Sequence, residues 1–327
     1  MPKECRICVN DEMNPSVTIG KDGLCGACAA FRKRFDPARL KNELRRVRAF
    51  GRRGIRAMVG FSGGKDSTAT LVTAKRLGFD VSAFTLDTGY YPEGTFARAG
   101  RITAKLGVAH ERIDIRRHIR PCDRRSFRMM ADLYDAPESE ALKKKFRALY
   151  AEGRKHYSAK CAHALPFVRT CQLCRRVVIR AYYAEAVKHG VGVVILGMNE
   201  WAGLSRGNFS AIRKLKPFKD KPAVLVIHLP FLLRRKLADT RRILRAIGWK
   251  LPPGETLVES NANSCLLARA AEAKAKRLLG FHPDTTRLAR EVTVGFLTKT
   301  QARRALAKAH RSARTLRQVL DKAGILS

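Results

Sequence analysis

The 327-residue chain carries 66 Lys and Arg against 28 Asp and Glu, a formal net charge of +38, and 45% of its residues are hydrophobic. That content supports a real core in one large or two medium domains. No run approaches the about 18 uninterrupted apolar residues of a membrane-spanning helix, and the opening MPKECRIC lacks the apolar stretch of a secretory signal, so the expected location is the cytoplasm, with no membrane partner.

The charge favours polyanion partners such as tRNA, rRNA or nucleotides. Arginines are spread through the chain rather than gathered in one block, a pattern that a lineage-wide bias or a solubility device would also give. Nine cysteines in a reducing compartment point to metal or redox chemistry rather than structural disulfides.

In chain order, the first element is the cysteine module CRICVNDEMNPSVTIGKDGLCGAC. It reads C-x₂-C, sixteen residues, then C-x₂-C, the spacing of a tetrahedral Zn²⁺ site built from Cys5, Cys8, Cys25 and Cys28. Four thiolates close the metal shell, so the ion is structural, serving as a fold staple or as a platform for nucleic acid. Phe35 to Arg53 follows as a basic helix with Leu40, Leu44, Val47 and Phe50 at helical spacing, ended by Gly51 and Gly54.

Strands and helices then alternate. Ile55–Phe61, Val81–Leu86 and His110–Ile115 read as strands, and Ser67–Leu77 and Thr95–Leu106 as helices stopped by Gly78 and Gly107. Arg116 to Thr170 is irregular, charged and helical in parts. Arg175–His189 reads as a helix, Val191–Leu196 as a fully apolar strand, and Ala223–Leu229 as another strand. From Arg234 the pattern is helical, with breaks at Pro252, Pro253, Gly280 and Pro283.

This order predicts an α/β fold: an open parallel sheet with helices on both faces, a zinc-ribbon-like N-terminal module and a helical C-terminal region. The expected division is a four-cysteine zinc module over 1–34, a basic helical linker over 35–54, an ATP-binding domain over 55–230 and the helical region over 231–327.

The stretch VGFSGGKDSTATL places two glycines, a lysine and two serines between an apolar strand and a helix. Such a turn aims backbone N–H groups and the positive end of a helix at an anion. Ser62-Gly63-Gly64-Lys65-Asp66-Ser67 is not a Walker A loop, which needs G-x-x-x-x-G-K-[ST]. It resembles the SGGxDS signature of the PP-loop ATP pyrophosphatases, which have the adenine nucleotide alpha hydrolase-like fold.

That resemblance implies ATP binding and cleavage between the α and β phosphates, giving an adenylated substrate and pyrophosphate. Asp66 would help hold Mg²⁺ or orient the loop. Later strand ends are expected to add nucleotide-binding residues. Here these are Asp87 in FTLDTGYYPEG, in a run similar to the DTG stretch of phosphoadenylylsulfate reductases, and Gly197 and Asn199 in GMNE. The latter resembles the G-H-N-x-D-D segment of tRNA-thiolating members, with Met198 in place of His and Glu200 standing where paired aspartates are missing.

Cys171 and Cys174 form a second CxxC at a helix start, where thiol pKa values fall, and Cys265 stands alone before another helix. The order resembles that of TtcA- and TtuA-type tRNA sulfurtransferases, in which three cysteines hold a [4Fe–4S] cluster with one open iron. A catalytic pair passing through persulfide and disulfide, or plain buried thiols, also fit the spacing.

The chain ends resemble another branch. The cysteine module and REVTVGFLTKTQARRAL (Arg290–Leu306) are similar to N-acetyl sugar amidotransferases of the WbpG and PseA type, which take ammonia from a glutaminase partner. Both branches adenylate a carbonyl oxygen and then displace AMP. The three cysteines and the charge favour sulfur transfer to tRNA or another nucleobase substrate, fed by a sulfur donor or carrier protein. Amide transfer to a sugar is the alternative.

Overall fold

The computed structural model describes residues 2–153, 164–202, 209–216, 220–253 and 255–327. Helices α1 (Gly26–Arg34) and α2 (Pro37–Arg52) follow the cysteine module. Asp36 caps α2 by accepting from the Ala38 and Arg39 amides, and Pro37 opens its first turn. The chain then lays down β1 (Arg56–Gly60), α3 (Lys65–Arg76), β2 (Asp80–Asp87), α4 (Thr95–Lys105) and β3 (His110–Asp114).

Next come α5 (Pro121–Asp135), α6 (Glu140–Glu152), α7 (Thr170–Lys188), β4 (Val193–Leu196), β5 (Ile212–Leu215) and β6 (Val224–His228). The C-terminal region adds α8 (Leu229–Leu232), α9 (Leu237–Ala246), α10 (Asn261–Ser264), α11 (Leu266–Leu279), α12 (Thr285–Thr293), α13 (Lys299–Ala307) and α14 (Leu316–Lys322).

The sheet runs β3-β2-β1-β4-β6-β5. All pairings are parallel except β5 with β6. The fold is therefore the α/β arrangement that the sequence predicts. The chain moves outward from β1 through β2 to β3, then returns to place β4 on the other side of β1. That reversal opens a crevice at the carboxyl ends of β1 and β4, where ligands bind in such sheets.

Both sheet faces are covered. One apolar cluster joins α2, α3 and α4 to the sheet. The larger one gathers α5, α6, α7, α11 and α14 on the opposite face. A third unites the cysteine module with α12 and α13, so the two ends of the chain pack together.

Four elements refine the sequence reading. The stretch expected to be irregular holds α5, entered through Pro121, and α6, capped by Ser139, whose hydroxyl accepts from the Leu142 amide at 3.1 Å. Helix α7 begins at Thr170 rather than Arg175, because Leu173 and Val177, one turn apart, are both fully buried and draw the first turn onto the core. Strand β5, with sequence IRKL, carries too many charges to announce itself, and it pairs antiparallel at the edge. Among the described residues no helix is long and apolar enough to cross a membrane.

Candidate active site

The phosphate-type loop leaves β1 at Phe61 and turns into α3 at Lys65. Gly63 adopts φ +71°, a left-handed conformation that disfavours any side chain, and a Cβ there would approach the Ala99 amide nitrogen to 3.2 Å. The Ser67 hydroxyl donates to the Gly64 carbonyl at 3.1 Å and accepts from the Ser62 amide at 3.2 Å, so the hairpin is closed on itself. Trp249 holds it from outside, donating its indole N–H to the Gly63 carbonyl at 3.2 Å. Lys65 and Asp66 form an ion pair.

The segment after β4 passes directly over this loop. A Cβ on Gly197 would lie 3.1 Å from the Asp66 carbonyl carbon and oxygen and from the Ser67 Cα. Between the two segments opens a pocket of about 220 Å³. Its walls include Ser62 and Ser67 from the loop, Phe84 and Tyr91 from β2 and the turn beyond it, and Gly197 and Met198 after β4. Arg175, Val178 and Tyr182 of α7 and Arg213 of β5 complete it. Arg213 donates to the Tyr182 hydroxyl at 2.7 Å. An apolar cleft with two guanidinium groups and a serine-rich phosphate loop suits a flat, anion-bearing ligand such as a nucleotide.

Of the residues expected at the nucleotide, Ser62, Ser67 and Gly197 line this pocket. Asp87 is turned elsewhere: its carboxylate accepts from Arg112 at 2.9 and 2.6 Å and from the Gly89 amide at 2.9 Å, which holds the β2 turn. Asn199 is buried, with its amide nitrogen 3.5 Å from Glu291 Oε1.

Glu200 is buried between Arg290 at 2.7 Å and Arg175 at 3.8 Å. Burial alone would raise its carboxyl, but Arg290 and then Arg175 reverse this and hold it below the usual carboxylate range. Glu291 goes the other way. Burial lifts its carboxyl, Arg287 and Lys65 oppose, and the nearby charges of Asp66 and Asp284 reinforce the rise.

The three distant cysteines share one neighbourhood next to the pocket, where the lining Tyr91 is pushed up by burial and then by the charges of Cys174 and Cys265. Cys171 and Cys174 sit in the first turn of α7, and residues 171, 175, 178 and 182 fall on one helical stripe, so Cys171 heads the same face that lines the pocket. Tyr90 ties the other two together. Its hydroxyl donates to Cys174 Sγ at 2.9 Å, and its carbonyl accepts from the Leu266 amide at 2.9 Å, next to Cys265.

Burial pushes each thiol up to about 12. The Cys265 charge reinforces the rise at Cys171, Cys171 does so at Cys174, and Cys174 at Cys265. Cys171 nevertheless keeps solvent access, as expected for a group on a concave wall. It accepts from Asn261 Nδ2 at 3.4 Å. Asn261 is held by Asp284 at 2.9 Å, Asp284 by Arg287 at 2.7 Å, and Arg287 by Glu291 at 3.0 Å. A polar row thus runs from the thiols to the phosphate loop.

The N-terminal cysteines form a different kind of group. The sulfurs of Cys5, Cys8, Cys25 and Cys28 all lie within 4.8 Å of one another and are buried, so this cluster can hold a metal ion. Cys25 is pulled down by hydrogen bonds from Cys28 and then Cys8, the expected behaviour of crowded thiols sharing charge. Thr293 of α12 meets Cys28 Sγ at 3.2 Å. The thiols of Cys171, Cys174 and Cys265 stand farther apart and do not close into such a group.

Sequence reasoning missed Arg175, Arg213, Tyr90, Asn261 and Glu291 as site residues. Arg175 was legible from its position four residues after Cys171 on one helix. Glu291 lies in the Arg290–Leu306 stretch singled out by resemblance, but only the tertiary fold brings α12 to the loop. Cys122 is buried on α5, and Cys161 lies outside the described residues.

Comparison with known proteins agrees with this geometry. Residues 56–175 match the family model of the queuosine biosynthesis protein QueC. The chain is also similar to a 7-cyano-7-deazaguanine synthase from Anaeromyxobacter sp. (strain Fw109-5), with 43% identity over 58 residues, which covers 18% of this chain. The chain spans about a quarter of that relative's length, 25%. With the SGGKDS loop at the carboxyl end of β1, these matches support the PP-loop ATP pyrophosphatase superfamily for this chain.

Proposed function

We propose that this PP-loop chain is an ATP-dependent enzyme that adenylates a carbonyl oxygen on a nucleobase-related substrate, releases pyrophosphate and replaces that oxygen with sulfur. The observation that carries the reading is the neighbourhood that Cys171, Cys174 and Cys265 share next to the pocket. ATP would lie across the pocket, with its phosphates on Ser62 to Ser67 and Lys65 and its base among Phe84, Val178 and Tyr182. Sulfide would then add to the face of the adenylated carbon, and collapse of that adduct would expel AMP.

The wide spacing of Cys171, Cys174 and Cys265 suits a polynuclear [4Fe–4S] cluster, which supplies an iron able to carry sulfide. Cys171 is the most exposed of the three. The tight N-terminal set suits one tetrahedral Zn²⁺, with bonds near ~2.3 Å. Mg²⁺ would accompany the nucleotide. RNA, tRNA above all, is the proposed acceptor: Arg39, Lys41, Arg45, Arg46 and Arg48 are all exposed along α2, and a row of cations binds phosphates at the ionic strength of the cell.

A second reading has one specific support. The similar synthase is named for a cyano product, so nitrogen can be the atom delivered in this superfamily, and ammonia from a glutaminase partner would then replace sulfide. One experiment separates the two. Protein purified without oxygen and reconstituted with iron and sulfide is given ATP, RNA and either sulfide or ammonia, and the nucleosides are weighed by mass spectrometry. AMP and pyrophosphate with a thiolated nucleoside support sulfur transfer. A mass loss matching oxygen-to-nitrogen exchange supports the second reading. ADP and orthophosphate as products would refute both. Cys174→Ala is expected to keep ATP binding and lose the sulfur product.

A further inference from the structure

We propose that Asn199, after β4, and Glu291, on α12, complete with Asp66 a divalent-cation site at the phosphate loop, one that takes Mg²⁺ or Mn²⁺ together with nucleotide phosphates. The inference rests on the PP-loop reading above, but its two new residues lie outside the matched span 56–175.

The first observation is a pair of stranded oxygens. Asn199 is 5% exposed, and its side-chain Oδ1 has no hydrogen-bond partner among the described residues. Asp66 Oδ1 is buried and equally unpartnered. Leaving a buried acceptor unpaired is costly, and two of them, one from a carboxylate beside the phosphate loop, can be satisfied together by a cation. The orientation of the Asn199 amide is fixed by chemistry. Its nitrogen faces Glu291 Oε1 at 3.5 Å, and turning it over would set the oxygen against a carboxylate.

The second observation is how the charges are arranged. Lys65 engages Asp66 through Oδ2, leaving Oδ1. Asn199 and Arg287 both engage Glu291 through Oε1, so Oε2 takes no bond among the described residues. The close passage of Gly197 over Asp66 brings the Asn199 segment to the same place.

Three oxygen donors without thiol or imidazole suit a hard cation that keeps waters and takes phosphate oxygens as further ligands. The neighbouring Lys65 and Arg287 repel a bare cation. The site therefore binds metal well only once phosphate charge is present, which makes cation affinity nucleotide-dependent.

The test uses the full chain with its cysteine sites loaded, and Mn²⁺ as the probe. Electron paramagnetic resonance counts free Mn²⁺ with and without α,β-methylene ATP, whose α–β bridge cannot be split, and calorimetry follows binding of the analogue with no metal added. Wild type is expected to hold Mn²⁺ much more tightly with the analogue than without. Glu291→Gln and Asn199→Ala are expected to lose about tenfold or more of that affinity, the scale of disturbing a metal's ligand surroundings. Metal-free binding of the analogue and the melting temperature, measured for each variant, set the baseline against which the loss of Mn²⁺ is read. Asn199→Asp keeps an oxygen in place and should retain Mn²⁺.

Variants that hold Mn²⁺ like wild type, or an Asn199→Asp protein as weak as Asn199→Ala, would overturn the site. If wild type binds the analogue but no Mn²⁺, this inference fails alone. If wild type binds no analogue under any condition, the phosphate-loop reading fails with it.

Discussion

Gly197 is where the strand end and the phosphate loop touch, and Gly197→Ala measures how much that touch matters. The added methyl would sit 3.1 Å from Asp66 C, Asp66 O and Ser67 Cα, inside the 3.4–4 Å of ordinary contact. All three atoms are backbone, so no side-chain rotation can relieve the crowding, and one segment must move by a few tenths of an ångström. β4 is clamped between β1 and β6 in parallel register, so the loop, held by Trp249 and its own serines, gives way. Overpacking of this kind costs about 1–3 kcal/mol. If the cost falls on the nucleotide-binding geometry, affinity for α,β-methylene ATP drops about 5- to 140-fold. Calorimetry reads the affinity and a thermal melt reads the stability. Gly192→Ala is the control, because a Cβ at Gly192 meets nothing within 4 Å. Unchanged affinity together with an unchanged melting temperature in Gly197→Ala would refute the close-packing argument.

Three other outcomes are expected. Asp123 is fully buried between Arg176, at 3.1 Å, and Arg180, so Asp123→Ala removes the buried carboxylate that offsets two cations and should cost about 3–5 kcal/mol in urea unfolding. Burial pushes His228 down to about 4 from its ordinary 6.5, so its contribution is complete above pH 6.5 and is lost as pH falls toward 4. The shift corresponds to about 3 kcal/mol, and His228→Gln should flatten the acid limb of a stability–pH curve measured by chemical denaturation. Stripping the metal from Cys5, Cys8, Cys25 and Cys28 with a chelator should lower both the melting temperature and the affinity for the ATP analogue, because α12 rests on that module. A loss of stability with no loss of affinity would show that the module acts on the fold alone.

What the sequence made legible follows the range of the interactions. The SGGKDS turn, the strands beside it and the two C-x₂-C pairs near the N-terminus are local patterns, and the structure places them as read. Asp87 shows the limit of position as an argument. It stands at the end of β2 as expected, yet Arg112, distant in the chain but adjacent in the sheet at β3, takes its carboxylate. β5 was hidden because an edge strand needs only one apolar side, and its Arg213 entered the pocket unannounced. Asn261 stands four residues before Cys265, and Glu291 lies in the Arg290–Leu306 stretch, but nothing in either neighbourhood says which polar residue turns to the site. They become site residues only because α10 and α12 fold back across the loop.

That fold-back also bears on how the two sequence resemblances are weighed. The cysteine module and the Arg290–Leu306 stretch lie at opposite ends of the chain, yet they belong to one apolar cluster, with Leu288, Ala289, Val292 and Phe296 packed around the four cysteines. Lys299 donates to the Cys5 carbonyl at 2.6 Å, and Arg303 reaches Glu4 at 2.5 Å. Residues that pack on each other are constrained together, so likeness at both ends reports one shared scaffold rather than two separate signs of one reaction. The same nine-residue helix, α12, carries Glu291 toward the phosphate loop and Arg287 toward the polar row that ends at Cys171. On the proposed reading, this scaffold serves the adenylation step, which sulfur and nitrogen transfer have in common. The atom delivered is then set by the groups next to the pocket, and Cys171, Cys174 and Cys265 share a neighbourhood there.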